Sequence, residues 1–112
     1  MEHRWGRRVP VDLDVQIFAD PASAGWGRLR DISISGGFIE TALRTPVLSA
    51  LCMTVPATRY GDASVVHAVV VRNDVDGVGV EWFDGAADAV AALMQEAAGW
   101  LVRTRAPDEM RL

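Results

Sequence analysis

Arg4, Arg7 and Arg8 crowd three guanidinium groups into five positions near the start of the chain. Arg4 and Arg8 stand four residues apart, and on a flexible arm such a pair can close around a phosphate from two sides. Each planar fork can instead read a guanine bidentately through its O6 and N7 acceptors, a geometry that lysine lacks. A second segment with chemical potential is Asp31-Ile32-Ser33-Ile34-Ser35-Gly36-Gly37. In an extended strand Asp31, Ser33 and Ser35 share one face while Ile32 and Ile34 share the other. The Asp31 carboxylate can accept hydrogen bonds from the N1–H and N2–H edge of guanine, and the Ser33 hydroxyl beside it can donate or accept. Gly36 permits a positive φ or the close approach of a planar base to bare backbone. Taken singly, each segment also has an ordinary reading, a solvated basic tail and a polar strand that ends in a glycine turn.

Elements with the right period surround both segments. Residues 1–10 have no hydrophobic period and read as an arm. From Val11 the residues Val11, Leu13, Val15 and Ile17 alternate with Asp12, Asp14, Gln16 and Phe18, the period-2 mark of a half-buried strand. Asp20-Pro21 ends it. Trp26 to Ile34, Phe38 to Thr41, Leu48 to Val55, Ser64 to Arg72 and Val78 to Phe83 read as further strands. The last two are joined by a turn-rich stretch at 73–77. The tail then changes period. Asp84 can cap a helix starting near Ala86, with Val90, Leu93, Met94, Ala97 and Leu101 on one face. Gly99 weakens its last turn. The expected fold is mainly β, a six-stranded antiparallel β-barrel with a C-terminal α-helix. Residues 11–104 form the domain and 105–112 a tail.

The 112 residues suit one core, and half of them are hydrophobic. Apolar stretches are too short to span a bilayer, and no apolar segment of a secretory signal follows the charged start. Cys52 is the single cysteine, which fits a reducing, cytoplasmic setting. The formal charge is −4, from 15 acidic and 11 basic residues. A general nucleic-acid binder would carry a far more basic face. All of the basic residues are arginine. A small positive site on an acidic body suits a small anionic ligand.

Together the two segments are more specific than either alone. Arg-x-x-x-Arg at 4–8 followed by Asp-x-Ser-x-x-Gly at 31–36 resembles the two-part signature of the PilZ domain family. The resemblance extends to Arg8-Val9-Pro10-Val11, to Gly36-Gly37-Phe38-Ile39-Glu40, to Val69-Val70-Val71-Arg72 and to Gly77-Val78-Gly79-Val80-Glu81-Trp82-Phe83, over roughly residues 2–102. It implies a receptor for cyclic di-GMP, often bound as an intercalated dimer. Arg4 and Arg8 would grip phosphate and guanine, and Asp31, Ser33 and Gly36 would hold the guanine edge. Arg7 would add a phosphate contact. Trp5-Gly6 departs from the more polar residues common in the family; Trp5 would stack on a guanine or cover the barrel mouth.

No catalytic constellation accompanies these motifs, so an enzyme is not expected, nor any cofactor or metal. His3 and His67 lack a second ligand at metal spacing, and Cys52 reads as core filler. Asp74 and Asp76 belong to a turn, and Gly77-Val78-Gly79 opens a strand and so is no phosphate loop. Trp82, Phe83 and Trp100 read as packing residues. The expected function is a ligand-operated adaptor, in which the arm at 1–10 folds over the nucleotide and changes the surface offered to a protein partner. The competing reading is a nucleotide-independent protein–protein interaction module that uses the helix and exposed tryptophans. Either fits a monomer or a homodimer, without insertion into a membrane.

Overall fold

The computed structural model describes residues 8–20, 23–83 and 86–105, with side chains inside the helix described only as far as Ala97. Six strands precede one helix: β1 (Val9–Asp20), β2 (Ser23–Ile32), β3 (Gly36–Glu40), β4 (Ala50–Val55), β5 (Ser64–Asp74), β6 (Gly77–Trp82) and α1 (Ala87–Arg105). All neighbouring strands are antiparallel, and they close in the order β1-β2-β3-β6-β5-β4. Closure removes the free edges that an open sheet would present. It occurs between β1 and β4, through Ile17 opposite Met53 and Phe18 opposite Cys52.

Alternation places the core. In β1 Val15 and Ile17 are buried and Val11 and Leu13 pack partly against them, while Asp12, Asp14 and Phe18 face out. Leu51 and Met53 of β4 point inward. Cys52 between them is therefore half-buried on the outer surface, which corrects its reading as core filler. The helix seals the barrel with Val90 and Leu93, backed by Met94. Its first turn is tied by the Val90 N–H, which donates to the Ala86 carbonyl at 2.9 Å. Asp84, the expected cap, and Leu101, the last residue of the expected stripe, lie outside the described residues and side chains.

All six strands and the helix fall where the periods predict, with shifted ends. Val9 and Pro10 belong to β1 and not to an arm, because they pair with Ile32 and Asp31. β2 stops at Ile32, two residues earlier than expected, and α1 continues to Arg105. No described helix is long and apolar enough to cross a membrane.

The positive φ expected at Gly36 is not found, and its backbone setting gives another reason for a glycine. Gly36 lies in β3, buried opposite Glu81 of β6. A Cβ there would stand 2.0 Å from the Val80 carbonyl oxygen, a distance that only displacement of β6 could relieve. Gly36→Ala should therefore destabilise the barrel by about 2 kcal/mol and lower Tm by on the order of 10 °C. A thermal melt checks this, and an unchanged Tm would show that β6 yields freely.

Candidate functional site

The segment Asp31–Gly36 is built by a loss of phase in β2. Leu29 pairs with Ile39 and Asp31 with Phe38, so Arg30 has no partner on β3. The β1 side is irregular at the same level, where Pro10 pairs with Asp31 and Leu13 with Leu29. A bulge of this kind puts two successive side chains on one side of the sheet. Leu29 and Ile32 are fully buried, Arg30 is exposed and Asp31 is half-exposed. Asp31 thus reaches the outer surface beside Arg30, where an unbroken alternation from Leu29 would have turned it into the core.

Arg8, the only one of the three N-terminal arginines within the described residues, meets it there. Its Nη1 donates to Asp31 Oδ1 at 2.5 Å, with side-chain exposures of 51% and 31%. Arg4, Arg7 and Trp5 lie outside the described residues. The two sequence segments, separated by 23 positions, therefore converge through Arg8 and Asp31.

Ser33 does not stand beside Asp31 at the surface, and the expected shared face of Asp31, Ser33 and Ser35 is corrected. With β2 ended at Ile32, Ser33 turns inward at 1% exposure while Ile34 is 61% exposed. The Ser33 hydroxyl accepts from the Ser35 and Gly36 N–H groups, each at 3.2 Å. It also lies 3.2 Å from the Gly36 carbonyl, to which it can donate. The Ser33 N–H donates to that carbonyl at 2.8 Å. Trp82 fixes the loop from β6. Its indole N–H donates to the Ser33 carbonyl, and its backbone N–H to that of Ser35, both at 3.0 Å. Ser33 therefore supports the connection that holds Asp31, and Trp82 has a polar role that its reading as a packing residue missed.

The outer face of β1, β2 and β3 continues as a ladder of charge. Arg28 bonds Asp12 at 2.9 Å and Asp14 at 3.0 Å. The hydrogen bond that Arg28 donates to Asp12, then the charges of Asp12 and Asp14, raise the pKa of this guanidinium above its usual range. Arg30 is held less closely, 3.4 Å from Glu40 and 3.7 Å from Asp12. The alternating charges of β1 foretold an exposed face without indicating these partners.

On the other side of the β1 start lies a cleft of about 480 Å³, walled by Pro10, Val11, Leu13, Pro56 and Leu93. Glu96 also lines it, with an Oε1 that is buried and without a hydrogen-bond partner; Arg59 approaches only to 3.8 Å. Elsewhere, Cys52 Sγ lies 3.2 Å from His67 Nδ1 on the outer surface of β4 and β5. Phe83 is 45% exposed, which corrects its reading as a packing residue; the Trp100 side chain lies outside those described. Among the described residues no three His, Cys, Asp or Glu side chains are placed to hold a metal ion.

No family model and no curated protein matches the sequence. Solved structures do. The PilZ domain of CeSA from a cellulose-synthesizing bacterium superposes with a TM-score of 0.62 at 14% identity, covering 84% of this chain and 97% of that one. The Bacillus subtilis inhibitor of motility, MotI/DgrA, superposes with a TM-score of 0.68 at 23% identity over 94% of this chain. The chain spans about half of that protein, 54% of its length. The fold is PilZ-like.

Ser33→Ala leaves two N–H groups without their acceptor and should destabilise the protein by about 1–3 kcal/mol. Chemical denaturation checks the value, and an unchanged midpoint and slope would remove Ser33 from its supporting role.

Proposed function

We propose that this PilZ-like barrel is a receptor for cyclic di-GMP and acts as an adaptor, with no catalytic step of its own. The carrying observation is the meeting of Arg8 and Asp31 on the outer surface, across 23 positions of sequence. An exposed ion pair is worth only about 0–1 kcal/mol, and charge-assisted hydrogen bonds from an arginine fork to a phosphate exceed it. Both partners are therefore available for exchange. Arg8 and Arg4 would take phosphate and guanine, Arg7 a further phosphate oxygen, and Asp31 the N1–H and N2–H edge of guanine. Ser33 and Gly36 would serve by shaping the loop and the β3–β6 contact. The ligand is the only small molecule required. The resemblance in the arginine and Asp-x-Ser-x-x-Gly segments supports this ligand, and the fold agrees with it.

The output would be a changed surface for a protein partner in the cytoplasm, made as the residues before Val9 close over the nucleotide. A second reading, an interaction module indifferent to nucleotide, has its own observation. Phe18, Cys52 and His67 form a cross-strand row on the outer surface, near Phe83, whose N–H donates to the His67 carbonyl. Trp26, 67% exposed, lies two residues along β2 from Ala24, the strand partner of Phe18. Such an apolar face suits a partner protein or a second copy.

Isothermal titration with cyclic di-GMP, with GTP as control, separates the two. The receptor reading expects selective binding that Arg8→Ala weakens by about 1.5–3 kcal/mol in a chain whose Tm stays near that of the parent. A folded parent chain that gives no heat and no thermal shift would leave the interaction module as the function.

A further inference from the structure

Arg30 appears in neither sequence segment, yet the bulge of β2 sets it on the outer face immediately before Asp31. Three described arginines occupy this face, and the contacts they already make rank them by how readily a new anion can recruit them. Arg28 is committed to two carboxylates at 2.9 and 3.0 Å, and its raised pKa expresses the same attachment. Arg8 is engaged with Asp31. Arg30 has only Glu40 at 3.4 Å and Asp12 at 3.7 Å, longer than a well-formed hydrogen bond of about 2.7–3.2 Å. Its side chain is half exposed. Drawing Arg30 toward a ligand therefore sacrifices less than drawing Arg28. Asp12, which Arg30 shares with Arg28, keeps its closer partner when Arg30 leaves.

Its position also fits the ligand's charge. Consecutive Cα atoms are about 3.8 Å apart, and Arg30 and Asp31 leave the sheet on the same side. A nucleotide whose base edge is held by Asp31 brings a phosphate within reach of a long guanidinium side chain rooted one residue away. Its two carboxylate neighbours flank β2 on either side, Asp12 on β1 and Glu40 on β3, so the fork can swing over the face between them.

We propose that Arg30 is a fourth arginine of the site and neutralises a phosphate of the bound cyclic dinucleotide. This rests on the receptor reading above. It assigns Arg30 charge recognition, with guanine left to Asp31.

The test is titration of cyclic di-GMP into the parent chain, R30A, R30K and E40Q at low and moderate salt, with a thermal melt of each. R30A should lose about ten-fold in affinity while its Tm stays within about 3 °C of the parent. The salt dependence should fall by about one phosphate contact. R30K should recover part of the affinity and the salt slope, because lysine still meets a phosphate as a point charge. E40Q should bind several-fold more tightly, since it releases Arg30 and removes a repelling carboxylate. A parent chain that binds, with R30A equal to it in affinity and salt slope, overturns the assignment and leaves the receptor reading intact. Loss of affinity in R30A with no change of salt slope overturns the phosphate role, because the contact would then be to a base. A folded parent chain that does not bind overturns the receptor reading and this inference together.

Discussion

The arrangement of this face depends on one dislocation in β2. Between Leu29 and Ile32 the strand goes from core to core in three residues, where a regular pleat would need an even number. The extra residue lets Arg30 and Asp31 both point outward while the two aliphatic neighbours stay buried. Each of those neighbours is worth about 2 kcal/mol or more when buried, so the apolar pair fixes the dislocation and the charged pair is exposed as its consequence. The strand then ends, Ser33 folds inward, and the loop closes on Gly36 under the Trp82 indole. A one-residue slip in β2 would exchange Asp31 for Ile32 at the surface.

Electrostatics explain why this face alone is no anion trap. Arg8, Arg28 and Arg30 share it with Asp12, Asp14, Asp31 and Glu40, and the carboxylates outnumber the guanidiniums by one. Under the receptor reading, the charges of Arg4 and Arg7 would add to these and turn the balance positive.

The strands and helix were legible because their signals are local. Period-2 alternation in Val11 to Phe18 and the three- and four-residue spacing of Val90, Leu93 and Met94 report burial directly. The pairing of the arginine segment with Asp31 was also legible, through the resemblance of the two motifs. What alternation could not carry was its own interruption. Extended past Ile32 it placed Ser33 outside and Ile34 inside, and the structure reverses both. The role of Gly36 was hidden for a related reason, since the atom that forbids a Cβ belongs to Val80, distant in sequence. Cys52 was misplaced although the signal existed, because Leu51 and Met53 already claimed the inner face of a strand.

The start of β1 shows how a closed barrel can still leave one strand end loosely paired. Pro10 pairs with Asp31 but has no N–H to give to the ladder, and the irregular register before Leu13 thins the pairing further. Arg8 meets the barrel here through its side-chain contact with Asp31. Residue Pro10 and its neighbour Val11 also wall the cleft against Leu93, so a shift at this end of β1 is felt by α1 as well as by Asp31. The core residues Val15 and Ile17, further along the same strand, hold the rest of β1 in place. Under the receptor reading, exchange of the Arg8–Asp31 contact for a ligand would thus reach one strand end and the helix packed beside it, and leave the closed sheet in place.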